Sequence, residues 1–178
     1  MFGHKVFQYV RRSERKSKAE LLKEEMEVIK ACLLITDDSQ LDIEIRLIEN
    51  KGRGIVAKRD FVKGEFIVEY AGQLIDNKMA KVLEAKYAMD ISKGSFMYFF
   101  DFKGKKFCID ATEESGRYGR LLNHSRLSPN CITKVVMVEN TPRVIFVAKQ
   151  HLTKGTEFVY DYGDRSKDSL AAYPWLAL

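Results

Sequence analysis

LDIEIRLIENKGRGIVAKRDFVKGEFIVEY, residues 41–70, decides the fold class. Leu41, Ile43, Ile45 and Leu47 alternate with Asp42, Glu44 and Arg46, the period-two pattern of a strand with one buried face. Lys51-Gly52-Arg53-Gly54 then reads as a glycine-rich turn and residues 55–57 as a second strand. Lys63-Gly64 marks another turn, and residues 66–70 a third strand. Strand follows strand with no helix between, which is not the rhythm of a Rossmann unit.

Outward from this stretch the pattern continues. Upstream, Ser17 and Glu20 have capping-box spacing, and Leu22, Met26, Ile29 and Leu33 recur at helical intervals, predicting one amphipathic helix over about 17–34. Asp37, Asp38 and Ser39 end it. Downstream, residues 97–102 and 106–109 flank Lys103-Gly104 as a hairpin, and 132–138 and 143–148 form another around Asn140 and Pro142. Helices are expected at about 77–89, with Ala80, Leu83 and Tyr87 on one face, and at 166–173; 113–122 reads as a short helical or turn segment. The class is mostly β with peripheral helices.

Charge divides the chain. Lys5, Arg11, Arg12, Arg15, Lys16 and Lys18 against Glu14 give residues 1–18 a net charge of +5, equal to the whole chain's, so the remainder nets zero. Such an arm is either a handle for an anionic partner, usually nucleic acid, or a solvated tail. Residues 1–12 lack the apolar core of a secretory signal, and no apolar run is long enough for a membrane span. Cys32, Cys108 and Cys131 have neither disulfide-set nor zinc-knot spacing, so no metal is expected.

Four patches can carry chemistry. Lys51-Gly52-Arg53-Gly54 is either a plain turn or a place where backbone and cations meet an anionic ligand. Arg120-Leu121-Leu122-Asn123-His124-Ser125 is either a buried turn whose polar side chains cap backbone groups or a binding segment. His124 with Cys131 could also suit a cysteine hydrolase, although nothing marks the thiol as activated. Tyr160 and Tyr162 share one side of an extended segment. With Tyr70, Phe96, Tyr98, Phe99 and Phe100 they are sheet core or site lining. The tail holds Trp175, the only tryptophan.

Taken in order, KGRG, EY, RLLNHS, NC and YDYGD resemble the SET-domain protein lysine methyltransferases, over about residues 40–165. RKSKAEL at 15–21, YGDRSK at 162–167 and PWL at 174–176 are similar to the PR-Set type branch, whose members monomethylate lysine twenty of histone H4. The resemblance implies a SET-domain β fold with a C-terminal pseudoknot. The segment at Asn123-His124 would be threaded by that at Tyr160–Tyr162. It implies four regions: a basic arm (1–16), a flanking helix (17–39), the SET domain (40–165) and a closing tail (166–178). S-adenosylmethionine would be the cofactor, held by Lys51, Gly52, Arg53, Phe96, Arg120, Asn123, His124, Tyr162 and Trp175. Tyr162 would be the catalytic tyrosine, with Tyr70 and Tyr160 lining the lysine channel. Tyr70, Glu84, Thr133, Tyr160, Asp164 and Tyr173 would meet the substrate.

The function so implied is monomethylation of histone H4 on nucleosomes, by a nuclear, chromosomal monomer whose arm binds DNA. A SET enzyme for another lysine or methylation state, or a silent chromatin-binding module, stays open. Three departures stand out: Phe96 replaces a tyrosine, the loop Arg126-Leu127-Ser128-Pro129 is one residue longer, and the zinc cysteines of other branches are missing.

Overall fold

The computed structural model describes residues 16–90, 93–94, 96–163, 165, 167–172 and 174–177. Of the basic arm, residues 1–16, only Lys16 lies inside them. The first helix, α1 (Lys18–Leu33), starts where the capping box predicts. Ser17 Oγ accepts from Glu20 N at 3.2 Å and the Glu20 carboxylate accepts from Ser17 N at 2.7 Å. Two orphan donors of the first turn are thereby satisfied. Ile29 and Leu33 face inward onto Val136, Ile145 and Val147, a small core beneath the helix.

Strands β1 (Ile43–Ile48) and β2 (Gly52–Ala57) pair antiparallel from Ile43↔Ala57 to Ile48↔Gly52. This corrects the sequence reading of KGRG as the turn. The reversal falls at residues 49–51, where Asn50 takes the left-handed conformation (φ 61°), and Gly52-Arg53-Gly54 opens the strand. Asparagine tolerates that conformation better than most residues. Next come β3 (Phe66–Glu69), β4 (Gln73–Asp76), α2 (Asn77–Ala88), β5 (Met97–Phe102) and β6 (Lys105–Asp110). They are followed by β7 (Asn123–His124), β8 (Cys131–Val138), β9 (Thr141–Ala148), β10 (Val159–Tyr160) and α3 (Lys167–Ala172). Residues 113–122 hold only a single 3₁₀ turn, Gly119–Leu121, and a second such turn, Pro174–Ala177, follows α3.

Three-stranded sheets β3-β9-β8 and β4-β6-β5 enclose the main core with β1 and β2. Its largest fully buried side chains include Phe61, Phe146, Phe158, Ile43, Ile55 and Leu122. Close packing of such rings and branched chains supplies the dominant folding term.

The fourth sheet is the short parallel pair β7–β10, Asn123↔Val159 and His124↔Tyr160. It joins segments far apart in sequence, as the threaded topology requires. Asn130 secures it. Its N–H donates to Val159 O (3.0 Å), its Oδ1 accepts from Val159 N (2.9 Å) and its Nδ2 donates to Glu157 O (2.7 Å). The side-chain amide thus replaces a neighbouring strand.

One buried charge network ties the flank to the sheet. Glu69 accepts Arg143 Nε at 2.6 Å and Nη2 at 2.5 Å, and Arg117 Nη2 at 3.2 Å. Arg117 Nε also donates to Asp38, which is fully buried and accepts Tyr118 N at 2.6 Å. Each buried carboxylate is therefore paired and hydrogen-bonded, the condition for carrying charge inside a fold.

Candidate active site

The parallel pair brings four tyrosines into one line. Tyr70, just past β3, stands 5.2 Å from the Tyr98 ring, and Tyr98 6.4 Å from Tyr160. Tyr160 and Tyr162 are 4.7 Å apart, and Phe146 packs on Tyr160 at 4.7 Å. At the far end Tyr162, 37% exposed, meets Trp175 at 6.2 Å and His124 at 4.9 Å. The rings run from core to surface and end at a partly open aromatic face.

Hydrogen bonds orient that end. Tyr162 Oη donates to Leu122 O at 2.9 Å, which commits its proton and leaves the oxygen lone pairs to accept. His124 Nδ1 accepts from Tyr162 N at 3.1 Å, and its Nε2 lies 3.1 Å from Leu176 O. A carbonyl can only accept, so the ring carries its proton on Nε2. His124 thus caps backbone groups, and in doing so it fastens the C-terminal tail beside Tyr162. Burial first, then the Glu157 carboxylate, push the Tyr162 phenol up to about 12. Tyr70 and Tyr160 are raised too, mainly by burial. Near neutral pH all three phenols keep their protons, so they act as hydrogen-bonding groups and not as bases.

A polar cradle lies beside this line. Asn123 Nδ2 donates to Glu157 Oε1 at 2.9 Å, and Lys51 Nζ pairs with Glu157 Oε2 at 3.0 Å. The amide occupies the space a side chain on Gly54 would need, since a Cβ there would stand 2.7 Å from Asn123 Nδ2. Arg53 is ion-paired with Glu114 and shares a cavity of about 60 Å³ with Arg120. The Arg120 guanidinium stacks on Phe96 at 3.6 Å and donates from Nη1 to Thr112 O at 3.0 Å. Phe96 thereby serves without a hydroxyl, holding the arginine through its ring face.

The motifs KGRG, RLLNHS and YDYG thus converge on one place, and a scan against family models agrees: the SET domain model matches residues 52–163. The chain belongs to the SET-domain family. It is 50% identical over 167 residues to the N-lysine methyltransferase KMT5A of Xenopus tropicalis, covering 94% of this chain and 49% of that protein. To the histone-lysine N-methyltransferase Set8 of Drosophila melanogaster it is 44% identical over 169 residues, covering 94% and 24%. For the histone-lysine N-methyltransferase set-1 of Caenorhabditis elegans the figures are 43% over 176 residues, 98% and 72%. The chain therefore spans about half, or less, of the first two relatives. The crystal structure of CpSET8 from Cryptosporidium superposes with a TM-score of 0.72 at 40% identity, covering 90% of this chain and 70% of that one.

The SET domain's cradle fits a polar, partly flat ligand. Arg120 Nε and Thr112 Oγ1 are buried without a hydrogen-bond partner among the described residues, the condition expected of donors meant for a ligand. Trp175 and Tyr162, both partly exposed, flank His124 at 5.9 Å and 4.9 Å. Of the residues expected to meet substrate, Tyr70 and Tyr160 line the aromatic row and Thr133 bonds Tyr98 across it. Glu84 stands exposed on α2, and its charge, after burial and Asp110, helps push the Cys108 thiol up to about 12. Asp164 and Tyr173 lie outside the described residues. The cysteine-hydrolase reading fails: Cys131 is buried, its thiol donates to Asn130 Oδ1 at 3.2 Å, and burial pushes it up to about 12.

The sequence reading of this SET domain missed Glu157, which holds two cradle residues at once. It left Tyr98 open between sheet core and site lining, outside the residues assigned a role. Both had signals. Glu157 opens the EFVYDY stretch two residues before the parallel pair, and Tyr98 lies in the aromatic run.

Proposed function

We propose that this chain is the catalytic region of an S-adenosylmethionine-dependent lysine methyltransferase that adds one methyl group to lysine twenty of histone H4 on nucleosomes. The single observation that carries the reading is the line of phenols ending at Tyr162, with a cation-and-amide cradle on its flank. When bound, the cofactor would supply a methyl group on a positively charged sulfur. Lys51, Gly52, Arg53, Arg120, Asn123, His124 and Trp175 are the residues that would hold it. The relatives' names as lysine methyltransferases support the same reaction class.

The chain's own groups meet the needs of such a transfer. A lysine amine has an ordinary pKa of about 10.4 and must lose a proton before it can attack. Entry between Tyr70, Tyr98 and Tyr160 takes it out of water, which disfavours the ammonium and lowers that pKa. The Tyr162 oxygen, its proton committed to Leu122, then accepts from the amine and orients it. Holding the reactants in line contributes through positioning, with no covalent enzyme intermediate.

The Tyr160 hydroxyl would set the number of methyl groups. It can hold a water in the space a methylated amine needs in order to rotate for a second attack. Wild-type protein should therefore leave monomethyl-lysine on an H4 peptide, and Tyr160→Phe should yield dimethyl-lysine with its first transfer largely intact. Product mass spectrometry decides. Dimethyl product from the wild type, or a variant that stops at one, would remove the monomethyl assignment.

The basic arm would bind nucleosomal DNA, and the protein would then act in the nucleus on chromosomes. Neutralising Lys5, Arg11, Arg12, Arg15, Lys16 and Lys18 should weaken nucleosome binding and flatten its salt dependence while sparing activity on a free peptide. Equal losses on peptide and nucleosome would refute that role.

A further inference from the structure

Tyr98 and Thr133 sit on the outer strands of two different sheets, β5 of β4-β6-β5 and β8 of β3-β9-β8. Tyr98 Oη nevertheless donates to Thr133 Oγ1 at 2.8 Å. We propose that this hydrogen bond is a strut that fixes the width of the lysine channel and so discriminates against an amine that already carries a methyl group. The inference rests on the methyltransferase reading above and adds a positioning pair to it.

Both ends of the strut are anchored. Tyr98 is registered opposite Ile109 on β6, and Thr133 opposite Phe146 on β9; Ile109 and Phe146 are buried in the main core. Thr133 is β-branched, which holds its hydroxyl in a narrow range of directions. Phe146 in turn packs on Tyr160 at 4.7 Å and on Tyr70 at 6.1 Å. Tyr98 touches the same two tyrosines from the other side, at 6.4 Å and 5.2 Å. Rings and strands therefore close a loop, Tyr98, Tyr70, Phe146 with Thr133 beside it, Tyr160, and back to Tyr98, where the proposed lysine channel would run. The hydroxyl-to-hydroxyl bond is the side-chain link joining the two sheets in that loop. Burial raises the Tyr98 phenol while the bond to Thr133 lowers it, and the net direction is upward, so the donor keeps its proton near neutral pH.

This role differs from that proposed for Tyr160, whose hydroxyl would hold a water beside the amine. Without the strut the two sheet edges lose their hydroxyl tie and can separate slightly, and an amine bearing one methyl group gains room to turn. Interiors packed at crystal-like density register changes of this size.

The test compares kcat/KM on an H4 peptide with unmodified lysine and on the same peptide with monomethyl-lysine. It uses the wild type, Tyr98→Phe, Thr133→Val, the double variant and Thr133→Ser. Each of the first two variants should raise the monomethyl-to-unmodified ratio about fivefold, the weight of one neutral hydrogen bond. The double variant should exceed neither, because both remove the same bond. Thr133→Ser, which keeps the hydroxyl, should keep the wild-type monomethyl-to-unmodified ratio. An unchanged ratio in either folded single variant would overturn the strut, as would effects that multiply in the double. So would a loss in Thr133→Val that is equal on both peptides and absent from Tyr98→Phe, which would make Thr133 a simple peptide contact. A wild type inactive on unmodified peptide would overturn the functional reading instead.

Discussion

Glu69→Gln should cost about 3 kcal/mol of stability, the scale of breaking a buried ion pair from one side. Glu69 is buried and accepts from two arginines, three hydrogen bonds in all. The amide keeps the shape but turns an NH₂ toward two guanidinium donors and removes the balancing charge. The loss should appear as a lower denaturant midpoint with an unchanged slope. A change below about 1 kcal/mol would mean that solvent screens the network as it does a surface pair. The effect should reach the site, since Glu69 adjoins Tyr70 and its carbonyl would lie 2.0 Å from a Cβ on Gly119.

Tyr162→Phe should lower turnover at least about tenfold, about 1.4 kcal/mol of transition-state stabilisation. The ring contacts with Tyr160, His124 and Trp175 survive the change, and so does the backbone bond from Tyr162 N to His124. What disappears is the hydroxyl anchored on Leu122 O. Cofactor binding by titration should therefore be mostly retained while single-turnover transfer slows. Near-normal turnover would make Tyr162 a packing residue and place the chemistry elsewhere.

Much of this fold is legible in the sequence because its signals are local. Ser17 and Glu20 specify the start of α1 through their own backbone, and the alternation from Ile43 to Leu47 marks β1 as a strand. The buried face that alternation predicts holds only at Ile43, since Ile45 and Leu47 are exposed. The Lys103-Gly104 turn is similarly self-contained, both residues adopting left-handed backbone. β4 is not legible in this way. Gln73–Asp76 has only two apolar residues and becomes a strand by pairing with β6, Leu74 opposite Ile109 and Ile75 opposite Cys108. The KGRG pattern misplaces its turn because the reversal falls earlier, at residues 49–51 on Asn50, with Gly52 closing it, also in left-handed backbone.

The site divides the same way. Its motif residues are legible through resemblance to a family, and the structure gathers KGRG, RLLNHS and YDYG around one cradle. Glu157 is not, because its role comes from Lys51, 106 residues away. Tyr98 reads as an ordinary strand aromatic until Thr133, 35 residues on, is seen to share its hydroxyl. Such roles arise from tertiary contact and leave no periodicity in the sequence.

The function proposed for this chain is the transfer of one methyl group to one lysine of histone H4. Incubating the protein with S-adenosylmethionine and nucleosomes, then mapping H4 by mass spectrometry, tests it most directly. Monomethylation is expected at lysine twenty, and none on nucleosomes whose H4 carries arginine there. Unmodified H4 despite measurable cofactor binding, or methylation that persists on the arginine nucleosomes, would contradict it.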